Sequence, residues 1–215
     1  MDPQNLFRIG FFVDGFTFRK ANDFYLHHHF ARSRISAEGL KSFLLRQLQH
    51  YVPRGSSVSI EAHYYHPHPN PAESDYKRFE GVLNFEEHLQ QCGFQFHYRA
   101  KNSESFIHGN TDLISDMKML AHFEEIQLAV LVSTQGFYTD VAKFLRQHDI
   151  PLVLAGFDFS YHSLEQQREV HWHTDNCLKE EAVEYFALEK VMEQAATSNK
   201  YQSLFVNNRP RNRNR

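Results

Sequence analysis

Cysteine is scarce in this chain: the 215 residues hold only Cys92 and Cys177. At most one bridge can form, so a disulfide-stapled scaffold is excluded, and so is a Cys-rich zinc site. Long apolar runs are missing as well. No stretch approaches about 18 uninterrupted apolar residues, so no membrane-spanning helix is expected. The first ten residues, MDPQNLFRIG, open with an acid and lack an apolar run ahead of small cleavable residues. No secretory signal is expected from them, and a soluble, cytoplasmic protein is the default.

What is present reads as ordinary globular material. The chain is 41% hydrophobic and 23% charged, which excludes a wholly disordered or fibrous protein. Its length suits one domain, with roughly 70% of the unfolded surface buried on folding. The net charge of −3 conceals an asymmetry. Residues 207–215 carry Arg209, Arg211, Arg213 and Arg215 and no acid; without them 19 Lys and Arg face 26 acids, leaving a body at −7. The expected organisation is a domain over 1–196 and a basic, Asn/Arg-rich, disordered tail over 197–215.

Along the body, strand and helix patterns alternate. Residues 8–13 (RIGFFV) are a short apolar run of strand type, and Ser36 opens a helix carrying Leu40, Leu44, Leu45 and Leu48 on one face. Alternation predicts a strand over 57–65, the Pro-rich HPHPNPAESD a loop, and 76–92 a helix stopped by Gly93. A strand over 94–98, a helix over 112–123, the apolar strand 127–132, a helix over 138–148 and a strand over 150–155 follow. Residues 164–168 read as a short helix and 169–172 as a final strand. Asp175 or Asn176 then caps a last helix carrying Leu178, Ala182, Phe186, Val191 and Met192. Strands separated by helices imply βαβ units and a mostly parallel sheet covered on both faces. Ligands of such sheets bind beyond the carboxyl ends of the strands, near the switch in strand order.

Three places there carry chemistry-bearing residues. Asp14, at the end of the first strand and followed by Gly15, projects a carboxylate into that crevice or simply forms an Asp-Gly turn. A haloacid-dehalogenase nucleophile is excluded because Phe16 stands where its second acid belongs, and no G-x-G-x-x-G follows for a dinucleotide. Asp112 and Asp116, four apart, share one helix face, either as a solvated acidic face or as a cation-binding pair. In VLVSTQGFYTDVAKFL, Ser133 and Thr134 can cap the next helix and leave backbone N–H groups for an anion. Asp140 lies in that helix's first turns, where an acid is favoured in any case.

The ordered set VDGFTF, SDMKMLAH, LVSTQGF and IPLVLAGF resembles the NYN domain family of PIN-like, LabA-like nucleases, over about residues 8–190. The runs EAHYYHPHP and FEEHLQQCGFQFHYR match the family's layout. The resemblance implies a three-layer α/β/α sandwich with a mostly parallel central sheet, and a ribonuclease using Mg²⁺ or Mn²⁺. Acids at the strand tips would hold hard cations that activate water and neutralise the phosphate. Asp14 matches the family's first acid and Asp116 the acid on the central helix; Asp112 lies near a further acid, at a shorter spacing. Thr17 stands where Asn is usual. The departure falls after the apolar strand, where the family pattern S-G-D-x-D-F meets Ser133-Thr134-Gln135-Gly136-Phe137-Tyr138. Gln135 and Phe137 occupy both acidic positions. Losing two of about four carboxylates weakens attraction for a divalent cation, and Asp140 is the one nearby acid for a rescue.

Two readings of function follow. One is a metal-dependent ribonuclease with Asp14, Asp112, Asp116 and Asp140 as catalytic residues, the first three as metal ligands. Thr17, Ser133, Thr134, Gln135, Arg209 and Arg211 would contact RNA. The other is a catalytically impaired protein of the same fold that binds RNA or a protein partner; a small-molecule or regulatory domain is a third. A homo-oligomer is left open. Of the 15 histidines, His27, His28 and His29 are consecutive and cannot share one ion. His63, His66 and His68 surround the Pro-rich loop, and His171 and His173 sit two apart at a strand end. These read as surface histidines rather than a closed zinc site. Tyr64, Tyr65 and Tyr98, at strand ends, belong to the core or stack exposed bases.

Overall fold

The computed structural model describes residues 5–67, 76–98, 110–163, 167–198 and 201–206. Its centre is a six-stranded sheet built from β1 (Leu6–Asp14), β2 (Ser57–Tyr65), β3 (Phe94–His97), β4 (Leu128–Val132), β5 (Leu152–Gly156) and, later in the chain, a strand at Glu184–Ala187. Every pairing in it is parallel. A parallel sheet covered by helices hides both faces, and the central strands β1, β4 and β5 are apolar on both. Ile9, Phe11 and Val13 of β1 enter one core with Val130 and Val132 of β4, while Phe12 and Leu131 enter the other. Each fully buried Phe or Leu contributes about 1.5–3 kcal/mol.

Helices cover both faces. The first core is closed by α1 (Gly15–His27), α2 (Ala37–Gln47), α3 (Tyr76–Gln91) and a helix at Leu188–Thr197 through Phe18, Leu44, Leu89 and Met192. The second is closed by α4 (Thr111–His122), α5 (Thr139–Gln147) and α6 (Asn176–Glu181) through Met117, Val141 and Leu178. The result is the three-layer α/β/α sandwich. Ser36 caps α2 by accepting the Gly39 N–H at 3.0 Å. Among the described residues no helix is long and apolar enough to cross a membrane.

Strand order fixes where a site belongs. In the order β3-β2-β1-β4-β5, the chain winds outward through β1, β2 and β3 and then returns to the other side of β1. The switch therefore lies between the tips of β1 and β4, at Asp14 and Ser133.

The structure departs from the sequence reading at several points. The sequence pattern shows no helix directly after Asp14, yet α1 starts there because Asp14 itself caps it. The final strand expected at 169–172 is β7 (Arg168–Trp172), which pairs antiparallel with β6 (Phe159–Ser163) as a separate hairpin outside the main sheet. The helix expected at 164–168 falls partly on residues outside the description, and Arg168 belongs to β7. The single last helix is interrupted: Val183 donates its N–H to Leu152, and Glu184–Ala187, β8, extends the sheet beside β5, before α7 (Leu188–Thr197). The tail boundary at 196 also shifts. Residues 201–206 dock on the body, with Leu204 wholly buried, Ser36 N–H donating to Leu204 and Ile35 bridging Phe205. Arg209 and Arg211, like most of the Pro-rich loop, lie outside the described residues.

Candidate functional site at the carboxyl edge

Asp14 ends β1 with only 4% of its surface exposed. Its Oδ1 accepts the Phe16 N–H at 3.1 Å, and its Oδ2 accepts the hydroxyls of Thr17 at 2.8 Å and Ser133 at 3.0 Å. Burial pushes the carboxyl above its ordinary range, and these hydrogen bonds oppose that shift without cancelling it. Gly15 is required next to it by close approach: a Cβ there would lie 2.2 Å from the Tyr65 carbonyl oxygen. The Asp-Gly pair is therefore a helix start wedged against β2 rather than a surface turn.

The hydroxyls reach further. Thr17 Oγ1 accepts the Thr134 N–H at 3.2 Å and sits 3.2 Å from Thr134 Oγ1, while Ser133 Oγ accepts the Gln135 N–H at 3.1 Å. Gln135 in turn donates its amide to Thr134 Oγ1 at 3.2 Å. This corrects the sequence expectation for Ser133 and Thr134. They do not cap α5, which begins at Thr139 after a short turn and has no side-chain cap. The N–H groups of Thr134 and Gln135 are spent on hydroxyls rather than left for an anion. Thr17, Ser133, Thr134 and Gln135 thus close around Asp14.

Asp116 is held differently. Tyr65, the register partner of Asp14, donates its hydroxyl to Asp116 Oδ2 at 2.8 Å. His97 Nδ1 stands 3.7 Å from the same oxygen, its ring stacked on Tyr65 at 4.5 Å. His97 Nε2 lies 3.0 Å from His63 Nδ1. Burial first, then the neighbouring His97, lowers the His63 pKa to about 4, against the opposing pull of Asp116. The other His63 nitrogen is shielded, and Glu61 at 4.0 Å is too far to hydrogen-bond it. Asp112 lies one turn earlier, at the start of α4, where Asn110 caps the helix. Both acids are near enough to the Tyr65 phenol to oppose its ionisation, which burial opposes most. Asp140 is exposed in the first turn of α5.

The acids do not converge on a metal position. Among the described residues no three His, Cys, Asp or Glu side chains form a group able to hold a metal ion. The donor chemistry explains this: both Asp14 oxygens and one Asp116 oxygen already accept hydrogen bonds, and the positions after β4 hold an amide and a phenyl ring. Among the described residues, the groups around Asp14 and Asp116 do not make a site that fits Mg²⁺ or Mn²⁺.

A second feature went unrecognised in the sequence. Beyond the tips of β4, β5 and β7 opens a cleft of about 660 Å³, walled by Gln135, Gly136, His171, Trp172, His173 and Lys179 among others. Asp175 caps α6 through the Leu178 N–H at 3.1 Å, so of the two expected caps Asp175 is the one used. Its N–H donates to the Thr134 carbonyl, tying the cleft to the Asp14 cluster. The only sequence signal was the His171/His173 spacing at a strand end.

No known family's sequence profile matches the chain, and no curated protein matches it. Among solved structures, the chain is similar to a protein of unknown function from Vibrio parahaemolyticus RIMD 2210633, with a TM-score of 0.55 and 13% identity. The match covers 87% of this chain and 96% of that one. At that identity the likeness establishes the fold alone.

Proposed function

We propose that the protein is an NYN-like RNA-binding protein that holds single-stranded RNA along the carboxyl edge of its sheet and does not cut it with a metal ion. One observation carries this reading: the Asp14 carboxylate, which a metal-dependent nuclease would present to its cation, is closed off by Thr17, Ser133 and the Phe16 N–H. Its raised pKa supports the same reading, since a metal site favours the ionised carboxylate and burial here opposes it. Gln135 and Phe137 add no charge beside it. The edge retains what RNA recognition uses, namely the Gln135 and Asn176 amides and the exposed ring faces of His171 and His173. The arginines of 207–215 would add a salt-dependent attraction that offsets the acidic body.

Metal-dependent ribonuclease action is the second reading, and one arrangement favours it: Asp112 and Asp116 both lie near Tyr65, which stands beside Asp14 in the sheet. In that case Asp14, Asp112 and Asp116 would have to regroup around Mg²⁺ or Mn²⁺.

Incubating the full chain with labelled single-stranded RNA and Mn²⁺ or Mg²⁺, beside Asp116→Asn, separates the two. Retention without cutting supports the binder. Metal-dependent cutting that disappears in Asp116→Asn establishes the nuclease instead, and no retention removes both. Deleting 207–215 should lower the slope of log affinity on log salt by up to about 3, as expected for four phosphate contacts to a single strand.

A further inference from the structure

We infer that the cleft beyond β5 and β7 is a nucleobase subsite, taking one unstacked base of a single strand against the His171–His173 pair. The inference deepens the RNA-binding reading and rests on it for the nature of the ligand. The two imidazoles are exposed, parallel within 10°, and have centroids 6.1 Å apart. A base inserted between two rings needs about 6.8 Å, twice the ~3.4 Å rise of stacked bases. Both side chains face solvent, so a base can stack on an exposed ring face or enter between the rings once they rotate apart.

The cleft also offers groups for a base edge. Gln135 uses its amide N–H on Thr134, and among the described residues neither its amide oxygen nor the Asn176 amide on the same wall has a hydrogen-bond partner. Complementary amides of this kind read Watson–Crick edges. Charge argues for a base rather than a phosphate. Among the described residues Lys179 is the one ammonium lining the cleft, and it sits 3.2 Å from Asp158, with Asp175 as a second carboxylate. Two carboxylates against one ammonium repel a triphosphate, so the phosphates of the strand belong outside the cleft.

Continuity with the rest of the edge supplies the path. Thr134 and Gln135 are shared with the Asp14 cluster, and Trp172 touches Phe16, two residues after Asp14, at 5.7 Å. A strand whose backbone passes the β1 and β4 tips would place a base at His171 and His173.

Trp172 is the chain's single tryptophan and lines the cleft, so its emission reports occupancy directly. The full chain is titrated with adenosine 5′-monophosphate, ribose 5-phosphate and adenosine triphosphate while tryptophan fluorescence is followed. Binding of a labelled single-stranded oligoribonucleotide is measured separately by anisotropy. Saturable change with the monophosphate, none with ribose 5-phosphate, and no tighter binding of the triphosphate are expected. His171→Ala/His173→Ala should weaken the monophosphate about tenfold, the scale of one lost stacked base, with its melting temperature unchanged. Gln135→Ala should weaken it about threefold. Equal responses to monophosphate and ribose 5-phosphate, or a double variant that binds like the native chain, overturn the subsite. RNA binding with unchanged tryptophan emission also overturns it and leaves the RNA reading standing. Monophosphate saturation without RNA binding supports the base site and removes the RNA reading.

Discussion

Two polar regions share the carboxyl edge of this sheet, and they are built to opposite ends. At the tips of β1 and β4, Asp14, Thr17, Ser133 and Thr134 satisfy one another, and the acid at their centre is almost wholly buried. A few residues away, beyond β5 and β7, His171, His173 and Asn176 face solvent around an open cleft. Polar groups that complete one another's hydrogen bonds act as a lock on the structure, because desolvating them unpaired is costly. Groups left open to solvent cost the fold little and remain available to a ligand. On this comparison the position that looks most catalytic in the sequence is the one most tightly enclosed by its neighbours, and the less distinctive one is the one open to solvent.

The sharpest way to break that contrast is at Gly15. Gly15→Ala drives a methyl against the Tyr65 carbonyl, a backbone group that cannot swing aside, and should destabilise the protein by about 3 kcal/mol. A thermal melt should show a drop of roughly 6–12 °C. An unchanged melt would mean that the lock is loose.

Asp14→Ala comes next. It strands the Thr17 and Ser133 hydroxyls in a dry site and should cost about 2 kcal/mol in urea unfolding. A change within experimental error would show that the cluster contributes nothing to stability.

Asp14→Asn tests the electrostatics of the lock through pH. Because burial raises the native carboxyl above 3.8, the folded state holds the proton more tightly than the unfolded one. Native stability should therefore fall as pH rises from 3.8 to the raised value, with the full penalty present above it and none below 3.8. The Asn variant cannot ionise and should lack that part of the slope when urea unfolding is repeated from pH 3.5 to 7. A native curve parallel to that of the variant would contradict the raised carboxyl.

The smallest effects belong to the exposed side. His171→Ala/His173→Ala and Asp140→Asn should each change stability by less than about 0.5 kcal/mol, as solvent-facing substitutions do. A large loss from the histidine pair would make the cleft part of the lock and erase the distinction.

The sequence was most legible where periodicity and burial agree. The apolar runs of β1, β4 and β5, the Ser36 cap and the position of Asp14 at a strand tip could all be read from local pattern. The helix after Asp14 could not, since Gly15-Phe16-Thr17-Phe18 has weak helix propensity and the helix depends on the Asp14 cap and on Phe18 in the core. The edge strand Glu184–Ala187 was hidden inside a helical pattern, because strand preference depends on the neighbour it pairs with. The docking of Leu204 was hidden by the low-complexity residues that follow it.

For the site, the sequence by itself determined which residue types stand at each strand tip, including Gln135 and Phe137 where two acids were expected. Composition and alternation also determined a two-faced parallel sheet. Only the tertiary structure decided what those tips do. Whether a carboxylate is free for a ligand depends on which hydroxyls and N–H groups, distant in the chain, reach its oxygens; Asp14 and Ser133 are 119 residues apart and meet at 3.0 Å. The open cleft likewise arises from packing a hairpin and a short helix beside the sheet edge, and no local pattern encodes that juxtaposition.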